Sequence, residues 1–76
     1  MPPIATKTFR GSVTRSANQK PWTAHNATGR TLGSDFDLKK AQQRVESLVG
    51  LRIFWERSDL SSGSENYNAY TPGVTD

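Results

Sequence analysis

Residues 35–57, DFDLKKAQQRVESLVGLRIFWER, decide the fold. Leu38, Ala41, Val45, Leu48 and Val49 recur at helical spacing and form one apolar stripe, with Lys39, Lys40, Gln42, Gln43, Arg44, Glu46 and Ser47 on the other faces. The segment is an amphipathic helix with one side to bury. Asp37 reads as its N-cap, a carboxylate that accepts from the free N–H groups of the first turn, and Phe36 before it is placed to pack on Ala41 as a hydrophobic staple. Gly50 supplies the left-handed residue after the last turn, with Leu51 folding back on Val45 as the apolar contact of a Schellman stop. LRIFWER then changes to period two, Leu51, Ile53 and Trp55 on one face and Arg52, Phe54 and Glu56 on the other. An aromatic on each face predicts a central strand.

Upstream, MPPI carries two prolines that forbid helix and favour an extended entry, so residues 1–5 read as a flexible leader. TKTFRGSVTRS over 6–16 alternates as a half-buried first strand, Phe9 and Val13 sharing a face and Thr8, Arg10, Ser12 and Thr14 the other. Gly11 between them marks a bulge or a place covered by a large neighbour such as Trp55. SANQKP is a hairpin connection, and WTAHNAT a second strand with Trp22, Ala24 and Asn26 on one side, Thr23, His25 and Ala27 on the other. A turn at Thr28-Gly29-Arg30 follows, after which Thr31 and Leu32 either extend the strand or begin the loop to Asp37.

Downstream, the polar segment over 58–66 reads as a long mobile loop, and YNAYT as a short fourth strand with Tyr67, Ala69 and Thr71 on one face and Asn68 and Tyr70 on the other. Residues 73–76 read as a fraying tail. The order β-β-α-β-β predicts one α+β domain over 1–76, two layers deep, in which a helix lies on one face of an antiparallel sheet of about four strands. Its core would comprise Phe9, Val13, Leu38, Ala41, Val45, Leu48, Leu51, Ile53 and Trp55. One helix covers one face, so the other, bearing Phe54, Tyr70 and His25, is left open to solvent or a partner.

At 76 residues the chain is near the lower size that folds without staples, and it has no cysteine with which to make them. With no apolar leader in MPPIATKTFRG and no run long enough to span a bilayer, the expected location is the cytoplasm. The net charge of +3 is unevenly spread. Residues 1–34 carry Lys7, Arg10, Arg15, Lys20 and Arg30 with no acid, whereas residues 35–76 carry five basic and seven acidic side chains. This basic N-terminal segment either attracts phosphates or an acidic protein patch, or is an ordinary solvated surface.

No catalytic constellation is visible. His25 is a lone histidine without a cysteine or a positioned acidic partner, so it reads as a surface or packing residue, and no metal, cofactor or enzymatic role is expected. Asp35 and Asp37 sit where capping and the helix dipole favour acids. TGRTLG lacks the lysine of a phosphate-binding loop and reads as a turn. Trp22 and Trp55 are expected in the core. That leaves Phe54 and Tyr70 as exposed anchors, with Arg10, Arg15, Lys20 and Arg30 as the basic rim around them.

Two resemblances follow from this layout. ATGRTLGSDFDLKKAQQRVESL resembles the turn, short strand and helix of the N-terminal arm-binding domains of tyrosine recombinases, through Gly29, Phe36 and Ala41. In that family a three-stranded sheet enters the DNA major groove; here two strands are predicted before the helix and two after it. The resemblance implies a small DNA-binding module, integrase-arm-like or excisionase-like. The whole arrangement, a cysteine-free single domain with a helix of the AQQRVESL kind before a strand like GLRIFWER and a last strand after a polar loop, is similar to small phage-encoded anti-CRISPR proteins that inhibit type I systems. That resemblance implies a non-enzymatic inhibitor in a bacterial host's cytoplasm. It would bind a subunit of the Cascade effector complex through residues such as Arg10, Arg15, Lys20 and Arg30, and keep target DNA from being recruited. Nucleic acid remains the alternative partner, and whether the chain is a monomer or a dimer is left open.

Overall fold

The computed structural model describes residues 7–50 and 52–73. Strands β1 (Lys7–Arg15), β2 (Trp22–Asn26) and β3 (Thr31–Asp35) precede the helix α1 (Leu38–Val49), and β4 (Phe54–Arg57) and β5 (Glu65–Pro72) follow it. All pairings are antiparallel and the sheet runs β3-β2-β1-β5-β4, with β1 in the middle. The domain is therefore α+β, one helix on one face of one antiparallel sheet. It has five strands where about four are predicted. The additional strand is β3, built from residues that the sequence leaves between strand and loop.

Helix α1 has the predicted ends. The Asp37 carboxylate accepts from the Lys39 N–H at 3.0 Å, a cap of the kind that is worth about 1 kcal/mol. At the other end Gly50 adopts φ 70°, and its N–H donates to the Glu46 carbonyl at 2.9 Å. The staple is absent, because Phe36 is 78% exposed, and the contact expected from Leu51 lies outside the described residues. So do the leader over 1–5 and the last three residues of the tail.

The helix rests on β1, β2 and β3. It presents Ala41 and Val45, both fully buried, to Val13 and Ala24, with Trp22 and Ala69 completing the buried core. Small residues set the close approach. A Cβ on Gly11 would collide with the His25 carbonyl oxygen and stand 3.1 Å from Val45 Cγ1, so helix and neighbouring strand both close over this glycine. Val45 rather than Trp55 covers it. Leu32, Leu38, Val49, Ile53, Trp55 and Tyr67 pack partly buried around the rim.

Three expected core positions change. Leu48 is 58% exposed, because the helical stripe is wider than the strip of sheet beneath it. Trp22 is more buried than Trp55, since β4 is an edge strand and not a central one. Trp55 flanks the helix instead, its indole N–H donating to Glu46 at 3.1 Å. Phe9 leaves the core altogether, being 40% exposed. The register between β1 and β5 slips between Phe9, opposite Tyr70, and Gly11, opposite Ala69. The bulge adds Arg10 to β1 and reverses the faces of the residues before it.

The segment after β4 is held more closely than a mobile loop would be. Ser58 N–H donates to Asn66 O at 2.8 Å and Leu60 N–H to Ser64 O at 2.9 Å, so the β4–β5 hairpin continues to a turn at Leu60–Gly63. The seating of α1 on β1 generates a clear expectation. Gly11→Ala should lower unfolding free energy by about 1–3 kcal/mol in urea titration, as overpacking does. Val45→Asp, which buries a charge under the helix, should leave no cooperative transition.

Candidate docking face

Strand alternation puts Ser12, Thr14, Thr23 and His25 opposite to the helix, because Val13 and Ala24 face it. Register extends this face across the sheet. Thr14 stands between Thr23 and Asn66, Ser12 between His25 and Asn68, and Phe9 beside Tyr70, whose other neighbour is Phe54. The predicted anchors Phe54 and Tyr70 are thus direct cross-strand partners. Phe9, which the sequence pattern assigns to the core, joins them as the third aromatic.

These three rings form one cluster at an end of the uncovered face. The Phe9 and Tyr70 rings meet edge to face, 5.9 Å between centroids at 66°, and Phe54 is 48% exposed. Lys7 stands over Tyr70, its Nζ 4.4 Å from the ring centroid and 2.5 Å from Glu56 Oε2. The hydrogen bond from Lys7 to Glu56 raises the amine above the ordinary lysine value, and the charges of Glu56 and Tyr70 add to the effect against the opposing desolvation. The cluster's one cation is thereby neutralised locally.

The rest of the face is polar and uncharged. Thr14 donates to Asn66 Oδ1 at 2.7 Å, Asn66 Nδ2 to Asn68 Oδ1 at 2.8 Å, and the Thr23 and Ser34 hydroxyls lie 3.4 Å apart. Asn66 is almost wholly buried, so these bonds satisfy an amide that would otherwise be costly. His25 lies in the same row as Ser12 and Asn68. Among the described residues no three His, Asp or Glu side chains gather as a metal site would require.

The four basic residues expected to form a rim do not share one surface. Arg15 and Lys20 sit at the β1–β2 end of the sheet, Arg10 and Arg30 at the end marked by the β2–β3 turn. Arg15 pairs with Glu65 and lies 4.5 Å over the Trp22 ring. Arg10 reaches the helix side of the sheet, where its Nε donates to Thr71 Oγ1 at 2.9 Å. Arg44 on the helix pairs with Asp35 at 2.5 Å and lies across Gly33. The basic residues of the first 34 positions are thus dispersed by the antiparallel fold.

No family model matches this chain, and no curated protein or solved structure is significantly similar to it.

Sequence reasoning missed Phe9 and Lys7 as members of the cluster. The one available signal was Gly11, whose bulge reverses the phase of both. It also missed the charge network at the β4–β5 hairpin, where Arg57 Nε donates to Asp59 Oδ1 at 2.9 Å and the guanidinium lies 3.6 Å from Glu65. That hydrogen bond from Arg57 holds the Asp59 carboxyl below its ordinary range, with the Asn66 N–H adding to the effect while burial opposes it. A carboxyl whose pKa is depressed on folding stabilises the native state above the unfolded value of about 3.9, and that contribution is lost as pH falls through the native value. Wild type should therefore lose more of its urea midpoint between about pH 5 and pH 2 than Asp59→Asn does. Equal losses would mean that the Arg57–Asp59 bond is not maintained in solution.

Proposed function

We propose that this chain is a non-enzymatic binding protein that docks a protein partner on its open sheet face, with Phe9, Tyr70 and Phe54 as the anchor. The observation that carries the reading is this aromatic cluster, exposed on a face whose surround is neutral and polar. Such a patch gains little from phosphate backbones, which reward cations, and much from burial against a complementary protein surface, where a few aromatics supply most of the affinity. The resemblance to small type I anti-CRISPR proteins supplies the partner class: a Cascade subunit, whose occupation would block recruitment of target DNA. Arg15, Lys20 and Arg30 would act at the periphery, where charge steers encounter more than it holds the complex.

A second reading has one specific observation in its favour. Three antiparallel strands, β1, β2 and β3, precede α1, which is the count in the recombinase arm-binding layout. On that reading Ser12, Thr14, Thr23, His25 and Ser34 would meet base edges, and Lys20 and Arg30 would reach phosphates from the two ends of the strands.

Size-exclusion co-migration with an assembled type I Cascade complex, beside a salt titration on duplex DNA, separates the two. The docking proposal expects co-migration without DNA binding, and expects Phe54→Ala and Tyr70→Ala each to weaken the complex by roughly 2 kcal/mol, about 30-fold. Phe54 is exposed, whereas Tyr70 is half-buried against Phe9, so circular dichroism should stay close to wild type for both variants while the urea midpoint falls modestly for Tyr70→Ala alone. Undiminished binding by both variants would remove the face from the interface. Steeply salt-dependent DNA binding without co-migration would replace the proposal with the second reading.

A further inference from the structure

On the other side of the sheet a groove of about 300 Å³ lies between the last turn of α1 and the β2–β3 turn, lined by Arg10, Asn26, Ala27, Thr28, Leu48 and Val49. We infer that it is a binding site for a small carboxylate carrying an adjacent apolar group, with the Arg10 guanidinium as the counter-charge.

Arg10 differs from the other basic side chains. Lys7, Arg15, Arg44 and Arg57 make ion pairs. Among the other basic side chains described, Lys20, Arg30, Lys39, Lys40 and Arg52 are exposed, whereas Arg10 is half-buried. Among the described residues it is the one cation without an ion-pair partner that the fold draws out of water, and such a charge is costly without an anion. The bulge in β1 puts it there, as bulges commonly re-aim a side chain at a functional surface. Its Nε donates to Thr71 Oγ1, and Thr71 is itself buried, so the guanidinium plane is fixed in advance. A fixed fork suits the two oxygens of a carboxylate.

The remaining lining explains the rest of the ligand. Asn26 Oδ1 already accepts from Thr28 N–H at 3.0 Å, Thr28 Oγ1 at 2.8 Å and Arg30 N–H at 2.9 Å, so the polar wall is satisfied within the turn. Ala27, Leu48 and Val49 form an apolar wall, with Leu48 58% exposed. Among the described residues no acid lines the groove. The last turn of α1 carries no basic residue, so its carbonyl end contributes negative potential that weighs more heavily against a phosphate dianion than against a monoanion. The volume is at the low end of the roughly 300–1,000 Å³ usual for small-molecule sites, room for a group the size of one amino acid. The ligand can be a free branched-chain acid or the terminal carboxylate of a peptide with an apolar last residue.

The test is a titration of labelled protein followed by amide, methyl and arginine Nε–H resonances, using isocaproate, its neutral analogue isocaproamide, N-acetyl-glycyl-leucine and inorganic phosphate. Isocaproate should shift Arg10, Ala27, Leu48 and Val49 saturably while Phe54 and Tyr70 stay still, and isocaproamide should bind about tenfold or more weakly, the loss expected for a charged hydrogen bond. Tighter binding of the dipeptide than of isocaproate assigns the peptide terminus; the reverse assigns the free acid. Arg10→Gln should abolish the shifts. Leu48→Glu, at an exposed position that leaves the fold intact, should weaken isocaproate at least as much by placing a rival carboxylate beside Arg10. Absence of saturable shifts with both carboxylates, equal binding of the amide, or tighter binding of phosphate overturns the assignment. Because its readouts exclude the aromatic cluster, the result stands or falls independently of the docking face.

Discussion

The seat of α1 on Gly11 is the constraint on which the rest of this structure depends. β1 is the only strand bonded to both halves of the sheet, to β2 on one side and β5 on the other, and Gly11 lies at the point where the helix crosses it. Among the described residues the large side chains wholly removed from water are Val13 and Val45, and they meet near this crossing. Fully burying a valine is worth about 1.5–3 kcal/mol, a large share of the margin that a domain of this size can hold. Any side chain at position 11 would push apart the strand and the helix that together exclude water from this centre.

The same few residues divide the molecule's two surfaces. Between Gly11 and Phe9 the β1–β5 register slips, so one additional residue reverses the phase of everything before it. Phe9 turns outward to Tyr70 and Arg10 turns under, to Thr71. Regular pleating would put Phe9 beneath the helix side and Arg10 on the open face. The bulge thus exchanges an apolar and a cationic side chain, making the open face aromatic and neutral and the helix side cationic and grooved. Both candidate binding regions come from one backbone irregularity.

How much of this was legible in the sequence depends on how local each feature is. The helix, its Asp37 and Gly50 caps and the alternation of Tyr67, Ala69 and Thr71 against Asn68 and Tyr70 rest on residues a few positions apart, and these hold. The same alternation places Phe54 and Tyr70 on the open face, where Phe54 is exposed and Tyr70 half-buried; that they pair across strands is not in the local pattern. β3 is not marked by local pattern, because Thr31–Asp35 has a single large apolar residue and the register slip between Ala24 and His25 spoils its alternation. Strand order is non-local: nothing within LRIFWER says that its neighbour is β5 alone, so two aromatic faces suggested a centre where there is an edge. The basic residues of the first 34 positions read as one field in sequence. Antiparallel pairing carried them to opposite ends.

The sheet's edges bear on how partners can reach it. β3 at one edge is interrupted by a bulge and by Gly33, over which Arg44 lies to meet Asp35. β4 at the other is four residues long and finishes in Glu56 and Arg57. Short, charged or kinked edges discourage the addition of a further strand, which would need a straight row of free N–H and C=O groups. The flat face is not protected in this way, since Phe9 and Phe54 stay exposed on it with no charge free to repel an apolar partner. A chain with blunted edges and an unguarded aromatic face is arranged for face-on docking, and strand augmentation is the less favoured route.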